Sequence, residues 1–139
     1  MSSRKIVVAM AGCLALLAGC ATGPAGESTN PFAAMFQSDK AEQALAAGVK
    51  QFEDGEYPSA TKSLQSSLDL GLARAADKVR AYKYLAFIHC VSGRQRQCHD
   101  DFRNALEIDP AMELEPSESG HPIWGPEVRS ATARKYPGL

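Results

Sequence analysis

The chain has 139 residues, 45% of them hydrophobic, with 15 basic against 16 acidic side chains. That length suits one domain built on one hydrophobic core, and the near-neutral charge excludes nucleic-acid binding through a concentrated basic face. No stretch after Cys20 approaches the ~18–20 apolar residues that cross a bilayer as a helix.

Residues 1–20 read MSSRKIVVAMAGCLALLAGC. Arg4 and Lys5 form a positive start, and Ile6 to Leu17 form an apolar run of the length found in export signals. Leu17-Ala18-Gly19-Cys20 resembles the bacterial lipobox. The resemblance implies a diacylglycerol on the Cys20 thiol, removal of residues 1–19 and a new N-terminus at Cys20. Cleavage would remove Arg4 and Lys5, leaving 13 basic against 16 acidic residues, and Cys13 would leave with the signal. Buried acyl chains, at about 0.8 kcal/mol per CH₂, make a durable membrane anchor. An ordinary signal or an N-terminal membrane helix fits less well, because the apolar run is short. Ala21 and Thr22 follow the cysteine. In enteric-type lipoproteins an Asp there tends to retain the chain in the inner membrane, so its absence points to the outer membrane, with the domain facing the periplasm. No cofactor is indicated beyond this covalent lipid.

Residues 20–38 form the expected lipidated N-terminus and tether, because Gly, Pro, Ser, Thr and Asn dominate ATGPAGESTNPFAAMFQS without apolar periodicity. Phe32, Met35 and Phe36 stand out. They either dock on the folded domain or near the membrane interface, or form a partner-binding peptide.

The rest reads as almost entirely α-helical. Asp39 with Glu42 resembles a capping box, and Ala41, Leu45, Val49 and Phe52 follow at helical spacing. Gly55 ends that helix, and Pro58 suits the first turn of the next, where Ala60, Leu64, Leu68 and Leu72 share a face. A third helix is expected over about 74–92, ended by Gly93. A fourth covers about 95–108, with Phe102, Ala105, Leu106 and Ile108 apolar, stopped by Asp109-Pro110.

Aligning Gly55 with Gly93 exposes an internal repeat. Gly48 then meets Ala86, Ala60 meets Cys98, Leu64 meets Phe102, Leu68 meets Leu106 and Leu70 meets Ile108. The pattern resembles the tetratricopeptide (TPR) repeat: a small residue in the first helix, Gly at the turn, a small residue before an aromatic or Leu in the second, and an exit like ALEIDP (Ala105 to Pro110). The first copy departs from it, with Ser67 for the small Ala and Gly71-Leu72 for Asp-Pro. The copies lie 38 residues apart rather than the usual ~34, so about four residues are inserted near 71–78, as a longer connection or an extra helical turn. The expected fold is therefore all-α: two TPR-like helical hairpins over 39–110, then a capping segment and short helix over 111–139. Two unrelated hairpins are the plainer alternative. Since two repeats are fewer than the three or so usually needed, either the C-terminal segment or a partner must cover the open end.

With Cys20 acylated, Cys90 and Cys98 remain, an even pair in an oxidising compartment. They flank the Ser92-Gly93 turn and face each other across the hinge of the second hairpin, which predicts a disulfide. A metal site built from His89, Cys90, Cys98 and His99 is the sharper alternative. Its spacing differs from that of zinc sites, and adjacent residues on a helix diverge by about 100°, so no metal is expected. His89 and His99 are read as surface or partly packed residues.

Beyond Pro110, Gly120-His121-Pro122-Ile123-Trp124-Gly125-Pro126 is turn-rich and carries the only Trp. Pro126 could open a short helix to about Lys135, with Val128 and Ala131 inward. Ile123 and Trp124 would cap the core of the second repeat; alternatively Trp124 is an exposed anchor, since Trp is enriched in interface hot spots. His121 lacks an identifiable nucleophile or acid to work with in catalysis.

The whole combination is distinctive: lipobox, tether, KYLAFIHCVSGRQRQCHDDFRNALEIDP (Lys83 to Pro110), then GHPIWGP. It resembles the TssQ family, small TPR-type lipoproteins found with type VI secretion clusters, over about residues 40–130. The resemblance implies an accessory role at the envelope, with secretion-system components as partners, and no catalytic residues.

No Ser/His/Asp, Cys/His/Asn, paired-acid or phosphate-loop constellation is visible, so the chain is read as a non-enzyme. The leading expectation is an adaptor that holds a protein or peptide on a concave face made by the first helix of each repeat. Lys50, Tyr82 and Ile88 are the candidate contacts there, with Trp124 as a further one. A pilotin-like factor escorting an envelope component is the alternative.

Overall fold

A computed structural model of the protein describes residues 31–135. Six helices follow in order: α1 (Pro31–Glu53), α2 (Tyr57–Leu70), α3 (Ala75–Val91), α4 (Gln95–Ile108), α5 (Pro116–Ser119) and α6 (Trp124–Lys135). No strand occurs among the described residues. α1 packs along α2, and α3 along α4. The second hairpin docks through α3 on α2 and α1, and α6 then packs on α4 and α3. The fold is an all-α, TPR-like array of two helical hairpins with a C-terminal helix closing one end.

The two hairpin turns are built alike. Gly55 has φ +79° and Gly93 has φ +72°, a left-handed conformation open to glycine at little cost. In the first turn Gly55 N donates to Phe52 O (3.0 Å) and Glu56 N to Gln51 O (2.8 Å). In the second, Gly93 N donates to Cys90 O (3.1 Å) and Arg94 N to His89 O (2.8 Å). The same bonding pattern recurs 38 residues on, satisfying carbonyls that a helix end otherwise leaves unpaired. Between the hairpins, α2 ends at Leu70, Leu72 turns its side chain into the core (2% exposed) and α3 begins at Ala75. Four residues, 71–74, make this connection, against three at each hairpin turn, and α3 is 17 residues long.

Packing follows the small positions of the repeat. The first core cluster holds Ala41, Leu45, Val49, Ala60, Leu64, Leu72, Ala81, Leu85 and Ile88; the second holds Ala86, Phe87, Cys90, Cys98, Phe102, Leu106, Val128 and Ala131. Phe52 and Tyr84 pack against both. Ser67 occupies the place of Ala105 in the other copy. It is fully buried, and its Oγ donates to Leu64 O at 2.6 Å, so the hydroxyl carries no unpaired-polar penalty.

Two boundaries differ from the sequence reading. α1 starts at Pro31, so residues 31–38 are helix rather than tether, and Asp39 and Glu42 lie inside a helix rather than at its start. Pro31 fits the first helical position, and no Gly or Pro interrupts the chain again until Gly48. α6 starts at Trp124, two residues before Pro126, and the short α5 precedes it. The predicted signal over 1–19, and Cys20 with it, lie outside the described residues.

At Gly48 the hairpin is closed to any larger side chain. An added Cβ would lie 2.7 Å from Leu64 Cγ and 3.1 Å from the Leu64 backbone nitrogen, and Leu64 is fully buried. Gly48→Ala gains up to ~1 kcal/mol of helix propensity, but overpacking costs ~1–3 kcal/mol. A net loss of about 1 kcal/mol is expected for Gly48→Ala and a larger one for Gly48→Val, read as falling midpoints in urea unfolding. A Gly48→Ala protein more stable than wild type would contradict the close approach.

Candidate interaction groove and the stapled hairpin

The hydrophobic stripe of α1 leaves Asp39, Glu42, Gln43 and Ala46, at i, i+3, i+4 and i+7, on a neighbouring face. Arg74, Asp77 and Arg80 come up beside them at the start of α3. Together with Leu45 these residues line a groove of about 460 Å³ between the first helices of the two repeats. Arg74 grips Asp77 with two hydrogen bonds, Nε to Oδ2 at 2.6 Å and Nη2 to Oδ1 at 3.1 Å. Asp77 itself is buried (8% exposed). Bonding to Asp77, and then its charge and that of Glu42, raise the pKa of Arg74 further. Arg80 lies 5.9 Å from the Tyr84 ring centre. The groove presents acidic groups from α1 and two arginines with one acid from the start of α3, a surface suited to a polar, charged segment rather than an apolar one.

The expected contact residues do not gather there. Lys50 is exposed on α1 and paired with Asp54 at 2.8 Å, and bonding to that carboxylate raises its pKa. Tyr82 is half-buried against the first core cluster. Ile88 is 0% exposed, which corrects its assignment to a binding face: it is a core residue, turned toward the first hairpin. The residues that do line the groove were legible as a polar stripe on α1, but which side of α3 would face that stripe depends on how the hairpins dock.

The second hairpin is joined twice near its turn. Cys90 and Cys98 place their sulfurs at bonding distance, with Cα atoms 5.1 Å apart, and both are buried (2% and 0% exposed). Beside them His89 Nδ1 meets Asp101 Oδ2 at 2.6 Å, tying α3 to α4. His89 is only 5% exposed, so of the surface and packed alternatives the structure gives the packed one, as a buried pairing residue. His99 instead turns toward α6, with Glu127 at 3.8 Å and Arg134 at 3.4 Å. Among the described residues no three His, Cys, Asp or Glu side chains are grouped to hold a metal ion.

Gly-His-Pro-Ile-Trp-Gly-Pro builds the cap over this hairpin. Trp124 stacks on Phe87 with ring centres 4.4 Å apart, and His121 stacks on its other side. Trp124 Nε1 donates to Glu118 O at 2.9 Å. Glu118 also accepts from Lys83 Nζ of α3, at 2.9 and 3.0 Å, a pair less than one-fifth exposed. Gly125 is required by the close approach of α6 to α5, since a Cβ there would sit 2.8 Å from Ser119 O. Val128 and Ala131 face inward, as the helical spacing predicts. Trp124 thus serves as a cap rather than an exposed anchor, while Ile123 is 41% exposed and lies outside the buried cap. Along the far side of this segment, Met112, Leu114 and Val128 with Ser119, Arg129 and Thr132 border a second, more apolar depression of about 530 Å³.

No family model, curated protein or solved structure matches the chain.

Closing even a short loop constrains the unfolded chain, by about 2 kcal/mol here. Cys90→Ser/Cys98→Ser should therefore lower stability by about that amount, and unreduced, denatured wild-type protein should alkylate at neither position. Two reactive thiols would contradict the bond. Burial pushes the Asp101 carboxyl above its usual range, outweighing the downward pull of the His89 hydrogen bond. The folded protein thus holds this proton more tightly than the unfolded chain does. Its contribution to stability is full below the ordinary carboxylate pKa of ~3.9 and is lost as pH rises through the folded value. Asp101→Asn has no such proton. As pH rises above the ordinary carboxylate pKa of ~3.9, the urea midpoint of the variant should gain on wild type; a flat or opposite difference would contradict the shift.

Proposed function

We propose that the protein is a non-catalytic, TPR-like adaptor lipoprotein of the cell envelope. It is acylated on Cys20, held at the outer membrane and turned toward the periplasm, where it serves as an accessory component of a type VI secretion system, as its likeness to the TssQ family suggests. The observation that carries the adaptor role is the charged groove between α1 and α3, lined from both repeats by Glu42, Arg74 and Arg80. Side chains from two repeats reading one segment is how stacked helical hairpins present a binding surface. The lipobox-like Leu17-Ala18-Gly19-Cys20 supports the anchor, and the buried Cys90–Cys98 pair fits an oxidising compartment.

Two measurements test this reading. Labelled palmitate should enter the full chain and not a Cys20→Ala chain. The assembled secretion membrane complex, purified from envelopes, should retain the wild-type protein and retain at least tenfold less of Glu42→Lys/Arg80→Glu. An unlabelled product with Met1 intact would refute the anchor. Equal retention of the groove variant would refute the groove, and recovery with only an unassembled subunit would favour an escort factor.

A further inference from the structure

Most of the large apolar side chains exposed among the described residues lie at one place. Phe32, Met35 and Phe36 are 65%, 67% and 54% exposed at the start of α1. Their i, i+3, i+4 spacing puts them on one face of the helix, and the Phe32 and Phe36 rings meet edge to face, 4.9 Å between centres. Among the described side chains of α1 the first buried one is Ala41, nine residues or about 14 Å of helix after Phe32. The sequence reading of these three residues left open whether they dock on the folded domain, at the membrane interface or on a partner; their exposure removes the first.

We infer that the first turns of α1 are an interfacial membrane contact, seating Phe32, Met35 and Phe36 among the headgroups of the bilayer that holds the Cys20 lipid. This rests on the lipoprotein reading above. Ten residues separate Cys20 from Pro31, and even fully extended they span no more than about 35 Å. The end of α1 bearing the apolar face is therefore the part of the described structure covalently closest to the lipid. Residues 31–38 carry no charged side chain; Asp39 and Lys40 come only afterwards, so nothing charged is drawn out of water. Aromatic and long apolar side chains on one helical face are suited to the headgroup boundary, and a second attachment adds to an acyl anchor. A second copy of the chain is the poorer occupant. Three side chains over little more than one turn fall well short of the ~1,200 Å² that stable protein interfaces bury.

The test uses the full lipidated chain. With Cys20 acylated and Cys90 paired to Cys98, a Met35→Cys substitution supplies a single free thiol for an environment-sensitive fluorophore. Lys62→Cys, exposed on α2, supplies the control. In phosphatidylethanolamine–phosphatidylglycerol vesicles with brominated acyl chains, the label at position 35 should be quenched at least twofold and the label at 62 scarcely at all. Adding Phe32→Ser and Phe36→Ser should abolish the quenching while leaving the helical circular dichroism unchanged. Equal quenching at 35 and 62, in a product whose mass shows the acyl groups, overturns the inference and leaves the lipoprotein reading standing. A label at 35 that is shielded only where the chain is dimeric, and unaffected by brominated lipid, overturns it in favour of a second copy. A product without acyl groups refutes the lipoprotein reading itself, and this inference falls with it.

Discussion

The fold depends on a row of aromatic contacts that joins its two cores. Phe52 of the first hairpin meets Tyr84 at 5.1 Å and Phe87 at 6.0 Å, and Phe87 in turn meets Phe102 at 5.9 Å and Trp124 at 4.4 Å. Each ring is large, so each contact removes much apolar surface from water, and edge-to-face or stacked pairs add to that burial. A two-repeat array has few interfaces between repeats to draw on. Here the aromatic row runs from the first hairpin through the second and into the C-terminal segment, so repeats and cap share one continuous interior. The groove between α1 and α3 is shaped by the same docking, because the register of α3 against α1 fixes which polar stripe faces which.

The cap shows how an unusual loop can replace a further repeat. α6 packs on α4 and α3, as α3 packs on α2 and α1, so it takes the place of the first helix of a third repeat. The segment leading to it is longer than a hairpin turn and is held along its length: Met112 and Leu114 pack on the second core, Glu118 pairs with Lys83, and the Trp124 indole bonds back to Glu118 O. The open end that two repeats leave is covered by the chain itself. A partner is not needed for that task.

Most of the fold was legible in the sequence, for physical reasons particular to it. Gly55 and Gly93 mark left-handed turns, the Gly48/Ala86 and Ala60/Cys98 pairs mark close helix approaches, and Cys90 and Cys98 flank a turn short enough to join. What escaped was either context or competition. Residues 31–38 contain Pro, Ser and Gln, which read as linker, yet once Pro31 has set the start their Ala, Met and Gln propagate a helix already stabilised by the packing of Ala41 onward. His89 read as a surface or partly packed residue because its partner, Asp101, lies twelve positions away on the facing helix. Ile88 was placed on the concave side, though the docking of α3 on the first hairpin sets which of its faces is covered. The lining of the groove was visible as a stripe on α1 and invisible on α3, since periodicity gives the faces of a helix but not the rotation at which two hairpins meet.

The sulfur bridge has a consequence for the order of events. Both cysteines are buried inside the second core, so an oxidant, thiol or isomerase has little access to them while α3 and α4 are closed. The covalent step is therefore easiest in the open chain, before or during the collapse of Phe87 and Phe102 around it. A molecule that collapses first would hold two shielded thiols, and opening of the hairpin would be needed to join them. Tight packing thus shields the finished bond from reductants as well.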